Sequence, residues 1–190
     1  MLLGDVAEIR AGHPFRGKIP EIAGGDAYVV QIRDIDENGL ISWDTLIATE
    51  IKGRKSPDWL QQGDILFTAR GYRNIAAFVD YPPANTLSAP HYFVIRVHNK
   101  NILPEFVTWQ LNQIPAQKYF TKSSQGTVVA NIPRDFLATT PLIIPPIEEQ
   151  ITLVGLAKAQ IKEKLVLQAM IKNRELQMQE IAKRLLTEML

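Results

Sequence analysis

Proline and glycine divide this chain more sharply than any other feature. All twelve prolines and ten of the eleven glycines lie in residues 1–147, while residues 148–190 hold no proline and the single Gly155. The second stretch is built from Ala, Leu, Lys, Gln, Glu and Met, all good helix formers. It opens with Pro145-Pro146-Ile147-Glu148-Glu149-Gln150. Proline suits the first turn of a helix because its missing N–H would have no partner there. Acidic residues just behind it sit at the positive end of the helix dipole. The pattern predicts a helix that starts near Pro146 and runs about 40 residues, a rod of roughly 60 Å.

That helix carries an apolar stripe. Val154, Ala157, Ile161 and Leu165 follow one another at spacings of three and four, and Leu167, Ile171, Met178, Ile181 and Leu185 continue after a shift in phase. A stripe of this length cannot be covered by its own helix. Two covers stay open, the chain's own globular part or another long helix, and the stripe's length and terminal position favour the second.

Residues 1–145 read as a mixed α+β domain and 146–190 as the appended helix. Tyr28–Ile32, Asp64–Thr68, Ala76–Val79 and Tyr92–Val97 are rich in β-branched and aromatic residues and predict strands. Gly39 and Gly63 mark turns before such runs. Leu103–Leu111 predicts a short helix, with Pro104 and Glu105 in its first turn and Pro115 ending or bending it. The expected core is a twisted mixed or antiparallel sheet with short helices.

Composition excludes several classes. A hydrophobic share of 46% supports a packed core, and zero cysteines exclude disulfide scaffolds, thiolate zinc sites and cysteine nucleophiles. No apolar run approaches the roughly 20 residues needed to cross a bilayer. The start, Met1-Leu2-Leu3-Gly4-Asp5, shows no signal-peptide core, so the cytoplasm is the expected compartment. Net charge is +1, with fourteen basic against sixteen acidic residues in 1–150 and seven against four in 151–190. Any nucleic-acid contact must therefore come from local basic patches or be shared with a partner.

Catalytic signatures are scarce. Asp80-Tyr81-Pro82-Pro83 has the letters of an amino-methyltransferase motif in the wrong order and reads as a turn. Glu50-Ile51-Lys52 has the Glu-x-Lys spacing of metal-dependent nucleases but lacks the upstream Pro-Asp pair. His13, His91 and His98 lack metal-site spacing, and His91 and His98 are expected on or beside a strand. There is no glycine-rich phosphate loop and no serine in a nucleophile elbow.

Binding chemistry is better represented. Arg70-Gly71-Tyr72-Arg73-Asn74 follows a predicted strand and supplies Arg, Tyr and Asn side chains. Arg can grip guanine, and Asn adenine, by paired hydrogen bonds. Lys122-Ser123-Ser124-Gln125-Gly126-Thr127 offers short hydrogen-bonding side chains in a loop, Lys52-Gly53-Arg54-Lys55 groups three cations, and Arg16 and Lys18 flank Gly17. Any one of these reads most simply as a solvated loop. Their recurrence between strands favours a shared surface, with Arg70, Tyr72, Arg73, Asn74, Lys122, Ser123 and Gln125 nearest the bases. Arg54 and Lys55 are then placed on phosphates.

In this order the motifs resemble the specificity subunits of type I restriction–modification systems. Leu3-Gly4-Asp5-Val6-Ala7-Glu8-Ile9-Arg10-Ala11-Gly12, with Pro14-Phe15-Arg16, is similar to the opening of that family's target recognition domain. Val30-Gln31-Ile32-Arg33-Asp34-Ile35 and Leu60–Gly71, containing Gly63-Asp64-Ile65-Leu66, resemble its next segments. Phe106–Asn112, Gly126, Ile132-Pro133 and Leu142–Gln150 complete the match, the proline-proline-x-x-x-Gln start of the helix being its most specific part. The resemblance implies a DNA-reading domain bound to methyltransferase subunits that hold S-adenosylmethionine, and indirectly to an ATP- and magnesium-dependent restriction subunit. No cofactor or metal is implied on this chain. A full-length member has two recognition domains and two helices that pair antiparallel, whereas this chain has one of each, so a homodimer would rebuild the arrangement. Other readings are a stand-alone nuclease or methyltransferase-associated enzyme with its recognition domain, told apart by a cleavage assay, and an assembly or inhibitor protein that does not read DNA.

Overall fold

The computed structural model describes residues 1–15, 17–51, 57–71, 73–122 and 130–187. It divides into two compact units, Met1–Ile151 and Thr152–Leu190. In chain order the elements are α1 (Leu3–Val6), β1 (Ala7–Ala11), β2 (Ala27–Val30), β3 (Ile47–Thr49), β4 (Asp64–Thr68), β5 (Arg70–Gly71), β6 (Ala76–Phe78), β7 (Thr86–Ser88) and β8 (Tyr92–Val97). They continue with α2 (Pro104–Leu111), α3 (Ile114–Thr121), β9 (Ala130–Asn131), α4 (Arg134–Ala138) and α5 (Ile147–Thr187).

The first unit is α+β, as its sequence predicts, but its strands divide over three sheets. β1, β8, β4 and β6 form an antiparallel sheet, β3, β2 and β7 a mixed one, and β5 and β9 a two-stranded ribbon. In the largest sheet Ile95 stands between Ile9 and Ile65. Those three, with Phe67, face a core closed by Leu3, Val6, Val107, Leu111, Phe120 and Leu137 from the helices. One position along each strand, Leu66, Val94 and Ala77 face the opposite way, against Val29, Val30 and Ile47 of the smaller sheet. The side-chain period of two thus feeds two cores from one sheet.

This double burial explains a local pattern. β4 is buried at all five positions. A strand covered on both faces has no solvent side and loses the polar-apolar alternation of a half-exposed strand. β1 keeps the alternation, with Ala7 and Ile9 buried and Glu8 exposed.

Two predicted elements end differently. The strand at Tyr28 stops at Val30, because the Asp34 carboxylate accepts the Gln31 N–H at 2.7 Å and turns Ile32–Asp34 into a 3₁₀ turn. Pro115 does not bend the preceding helix; it occupies the first turn of α3, where a missing N–H leaves nothing unpaired. The segment 80–83 is a loop in which Asp80 accepts the Trp43 indole N–H at 2.7 Å and the Tyr81 amide at 2.8 Å.

The first turn of α5 is fixed by Gln150, which is fully buried. Its Oε1 accepts the Leu103 N–H at 2.9 Å, and its Nε2 donates to the carbonyls of Asn101 at 3.0 Å and Pro145 at 2.9 Å. The division between the units therefore falls inside α5, after this turn. In the second unit the helix continues for the rest of its 41 residues. Leu165, Leu167, Ile171, Met178, Ile181 and Leu185 are exposed, Ile161 is partly buried, and Val154 is buried. Among these, Ile171, Met178 and Leu185 recur every seventh residue.

Candidate nucleic-acid interface

Five segments meet at one end of the two larger sheets, where β4 and β2 finish and β8 begins. Backbone bonds of 2.9 Å hold them in order: Gly12 N–H to Tyr92 O, His13 N–H to Ser88 O, Ala89 N–H to Val30 O, Ala69 N–H to His91 O, and Ile132 N–H to Ala69 O. Gly12 permits the first of these crossings. A Cβ built there would lie 2.2 Å from the Ala89 carbonyl oxygen, so only glycine lets the two backbones come so close. Beyond it Phe15 and Ile19 turn inward onto the second core, and Lys18 between them points to solvent.

The loop after β4 is tied down from several sides. In the ribbon Arg70 pairs with Asn131 and Gly71 with Ala130, which ties the end of β4 to a segment some 60 residues further along the chain. The Asn74 side chain donates to the Thr68 carbonyl at 2.9 Å, and the Asn74 carbonyl accepts from Gln117 of α3 at 2.9 Å. Asn112, at the end of α2, exchanges two bonds with Ala76, accepting its N–H at 2.9 Å and donating to its carbonyl at 2.8 Å. The free end of β6 is thus closed by a side chain.

On this frame the cations are displayed. Arg70 and Lys122 are exposed. Arg73 is 69% exposed and lies 3.5 Å from Glu37. Glu37 belongs to a tight turn in which Asp36 accepts the amides of Asn38 at 2.9 Å and Leu40 at 2.8 Å. Gly39 completes the turn at φ +77°, and a Cβ there would lie 2.6 Å from the Ala76 carbonyl oxygen, so a side chain is excluded twice over. Lys122 caps the ring of Tyr119 at 5.8 Å, and that ring stacks on Phe136 at 4.7 Å.

Sequence-predicted residues thus fall into three groups. Arg70 and Arg73 are exposed at this end of the fold, Lys18 is exposed on the segment after Gly12, and Lys122 is exposed at the end of α3 in a groove with Trp109, Pro141 and Ile143. Asn74 is partly buried and its amide holds the loop in place, so in this conformation its donor is engaged within the protein. Arg16, Arg54, Lys55, Tyr72, Ser123 and Gln125 lie outside the described residues.

Sequence reasoning did not single out Gln31, Arg33 or His91 for binding. They line a cleft with Phe15, Lys18 and Pro90 beside the 69–74 segment. Arg33 is exposed and lies 3.7 Å from the Asp34 carboxylate. Asp34 itself is 2% exposed, and burial pushes its carboxyl upward against the opposing pull of the Gln31 N–H and Arg33. His13 meets Phe15 edge-on at 4.7 Å, and burial lowers its pKa, which favours the neutral ring. The signal for Arg33 was available as a cation placed directly after an apolar strand. His91 carried no such signal, since only the pairing of Ala69 with His91 brings it to the loop. Among the described residues no three His, Asp or Glu side chains gather as metal ligands. The site offers N–H donors and positive charge, which suits acceptor-rich partners.

The family described as "Type I restriction modification DNA specificity domain" matches residues 1–173. No curated protein matches the chain. The fold is similar to the HsdS subunit from Thermoanaerobacter tengcongensis, with a TM-score of 0.60 and 22% identity over 90% of this chain and 43% of that one. It is also similar to a chain from a structure concerned with complex assembly and conformational transition of the type I R-M system, with a TM-score of 0.59 and 21% identity over 86% and 42%. The S subunit of the type I system of M. genitalium gives 0.52 and 11% identity over 82% and 37%. The chain spans about two-fifths of the length of these structures. At such identities the likeness establishes the fold, and the family match carries the rest. The chain belongs to the type I restriction modification DNA specificity domain family, a family of non-catalytic specificity subunits.

Proposed function

We propose that this chain gives sequence specificity to a type I restriction–modification complex, with residues 1–145 reading one DNA half-site and residues 146–190 serving as spacer and dimerisation helix. The observation that supports this most is the ribbon that joins β5 to β9. It ties the strand end that carries Arg70 to Asn131, and Arg70 and Arg73 are exposed there. Exposed Arg side chains on a rigid strand end are suited to paired bonds with guanine.

Methyltransferase subunits holding S-adenosylmethionine dock on the same chain, and an ATP- and magnesium-dependent restriction subunit joins through them. First-unit charge is not basic overall, so part of the DNA affinity comes from those partners.

Two copies pair through α5 in an antiparallel coiled coil. The exposed heptad positions Ile171, Met178 and Leu185 supply the seam. A two-fold axis makes the interface self-complementary and demands two mirrored half-sites at a fixed separation. Methylation mapping in cells with and without this gene tests the reading. A symmetric, two-part motif that appears only with the gene is the expected result; an asymmetric motif excludes the homodimer as the reading form, and no gene-dependent motif excludes specificity itself. Replacing Ile171 or Met178 with Asp should convert the dimer to monomer in light scattering, because each places a charge in an apolar seam. A wild-type chain that is already monomeric refutes the pairing.

A further inference from the structure

The cleft beside the 69–74 segment has features that base reading by the ribbon does not use. Lys18 and Arg33 can only donate hydrogen bonds, and no Asp or Glu is among the residues that line the cleft. The nearest carboxylate, Asp34, is buried and already accepts the Gln31 N–H. Gln31 adds a buried side-chain amide, Nε2, that finds no acceptor among the described residues. An orphan donor in a buried position is costly unless something supplies an acceptor. His91 brings an imidazole to the rim, and its carbonyl is bonded to Ala69, one residue before Arg70. Phe15, Ile19 and Pro90 form its apolar wall.

We propose that this cleft binds a backbone phosphate of the DNA, flanking the bases read by the 70–74 loop; the inference rests on the DNA-reading function proposed above. A phosphate is acceptor-only and anionic, matching the Lys18 and Arg33 cations and the unpartnered Gln31 Nε2 donor. The phosphate thus fixes the register in which Arg70 and Arg73 meet the groove.

The test uses the complex with its methyltransferase subunits, titrated with cognate and scrambled duplexes across a salt series. Lys18→Gln and His91→Gln alter exposed side chains, and Gln31→Leu removes the orphan donor while keeping the volume. Combining Lys18→Gln with Arg33→Gln should weaken both duplexes equally and lower the slope of log affinity against log salt by about 1, as expected for one lost phosphate contact. The methylated motif should stay the same, and Lys18→Gln with His91→Gln should reproduce the effect with an unchanged melting temperature. Affinity and slope matching wild type in all variants would overturn the phosphate site, as would a change of motif at one base. A wild-type complex that binds both duplexes equally would instead sink the DNA-reading proposal, so the two failures are distinguishable.

Discussion

At the Asp64 end of β4 the carboxylate is 1% exposed and accepts a two-pronged bond from Arg96 at 2.6 and 2.7 Å, as well as the Gln61 N–H at 2.9 Å. The contact with Asp64 holds the Arg96 guanidinium above its ordinary pKa. At the other end of the same strand, the chain passes through Thr68 and Ala69 into Arg70, which stands in solvent with Arg73 and the cleft cations around it. One end uses charge to close the fold, with both Asp64 oxygens matched by groups of the same chain. The other end holds its backbone with equal care, through Asn74, Gln117 and Asn112, yet leaves its cations outward. The difference separates two uses of polar residues that composition alone cannot tell apart.

Arg96→Met should produce the largest effect, because it strands Asp64 at 1% exposure without its countercharge. A loss of about 3–5 kcal/mol in denaturant unfolding is expected. Asp64→Asn should cost less, since Arg96 is 27% exposed and can reach water. Equal costs would show that the two partners share the burial and would blunt the contrast.

Gly12→Ala probes whether the binding end is also held rigidly. With the Ala89 carbonyl 2.2 Å from the new methyl, the backbones must separate, at about 1–3 kcal/mol. Thermal unfolding within error of wild type would mean that this end is pliable. Asn74→Ala removes the bond to the Thr68 carbonyl and should cost about 1 kcal/mol. Its DNA effect should be a loss of affinity without a change of motif, since the residue holds the loop.

Arg73→Ala should leave stability within about 0.5 kcal/mol, because its contact with Glu37 is between exposed groups. It should relax one base of each half-site, at about 1–3 kcal/mol of discrimination. A methylation map with the same motif and efficiency would remove Arg73 from the readers. Arg70→Ala should have the smallest effect on unfolding, and a melting shift larger than that of Asn74→Ala would place Arg70 with the closing residues.

Much of the fold was legible in local chemistry. β4 and β8 begin and end where their β-branched runs do, and α5 starts behind the Pro-Pro-Ile-Glu-Glu sequence that suits a helix N-terminus. What sequence could not give was anything that depends on pairing between distant segments. β7 and β9 are short runs of Thr-Leu-Ser and Ala-Asn whose strand character comes from partners at β2 and β5. The site shows the same limit. Arg70 and Arg73 announced themselves as cations after a strand, whereas His91 reached the site through a backbone bond. Asn74 shows the converse, a residue type that suits a base whose side-chain amide here donates to the Thr68 carbonyl. The split of one expected sheet into three follows from both faces of β4 being covered, which periodicity cannot reveal for so short a run.

That double cover has a consequence for how the molecule can change. With Ile65, Leu66 and Phe67 of β4 packed into one core or the other, substitutions along the strand must match volume on a face that has no slack. The residues beyond Ala69 belong to a ribbon two pairs long. Replacement side chains there meet solvent or a ligand and leave both cores alone. Tolerance to mutation is therefore concentrated at the end where the cations stand, so new binding preferences can be sampled there without re-solving the packing of the domain.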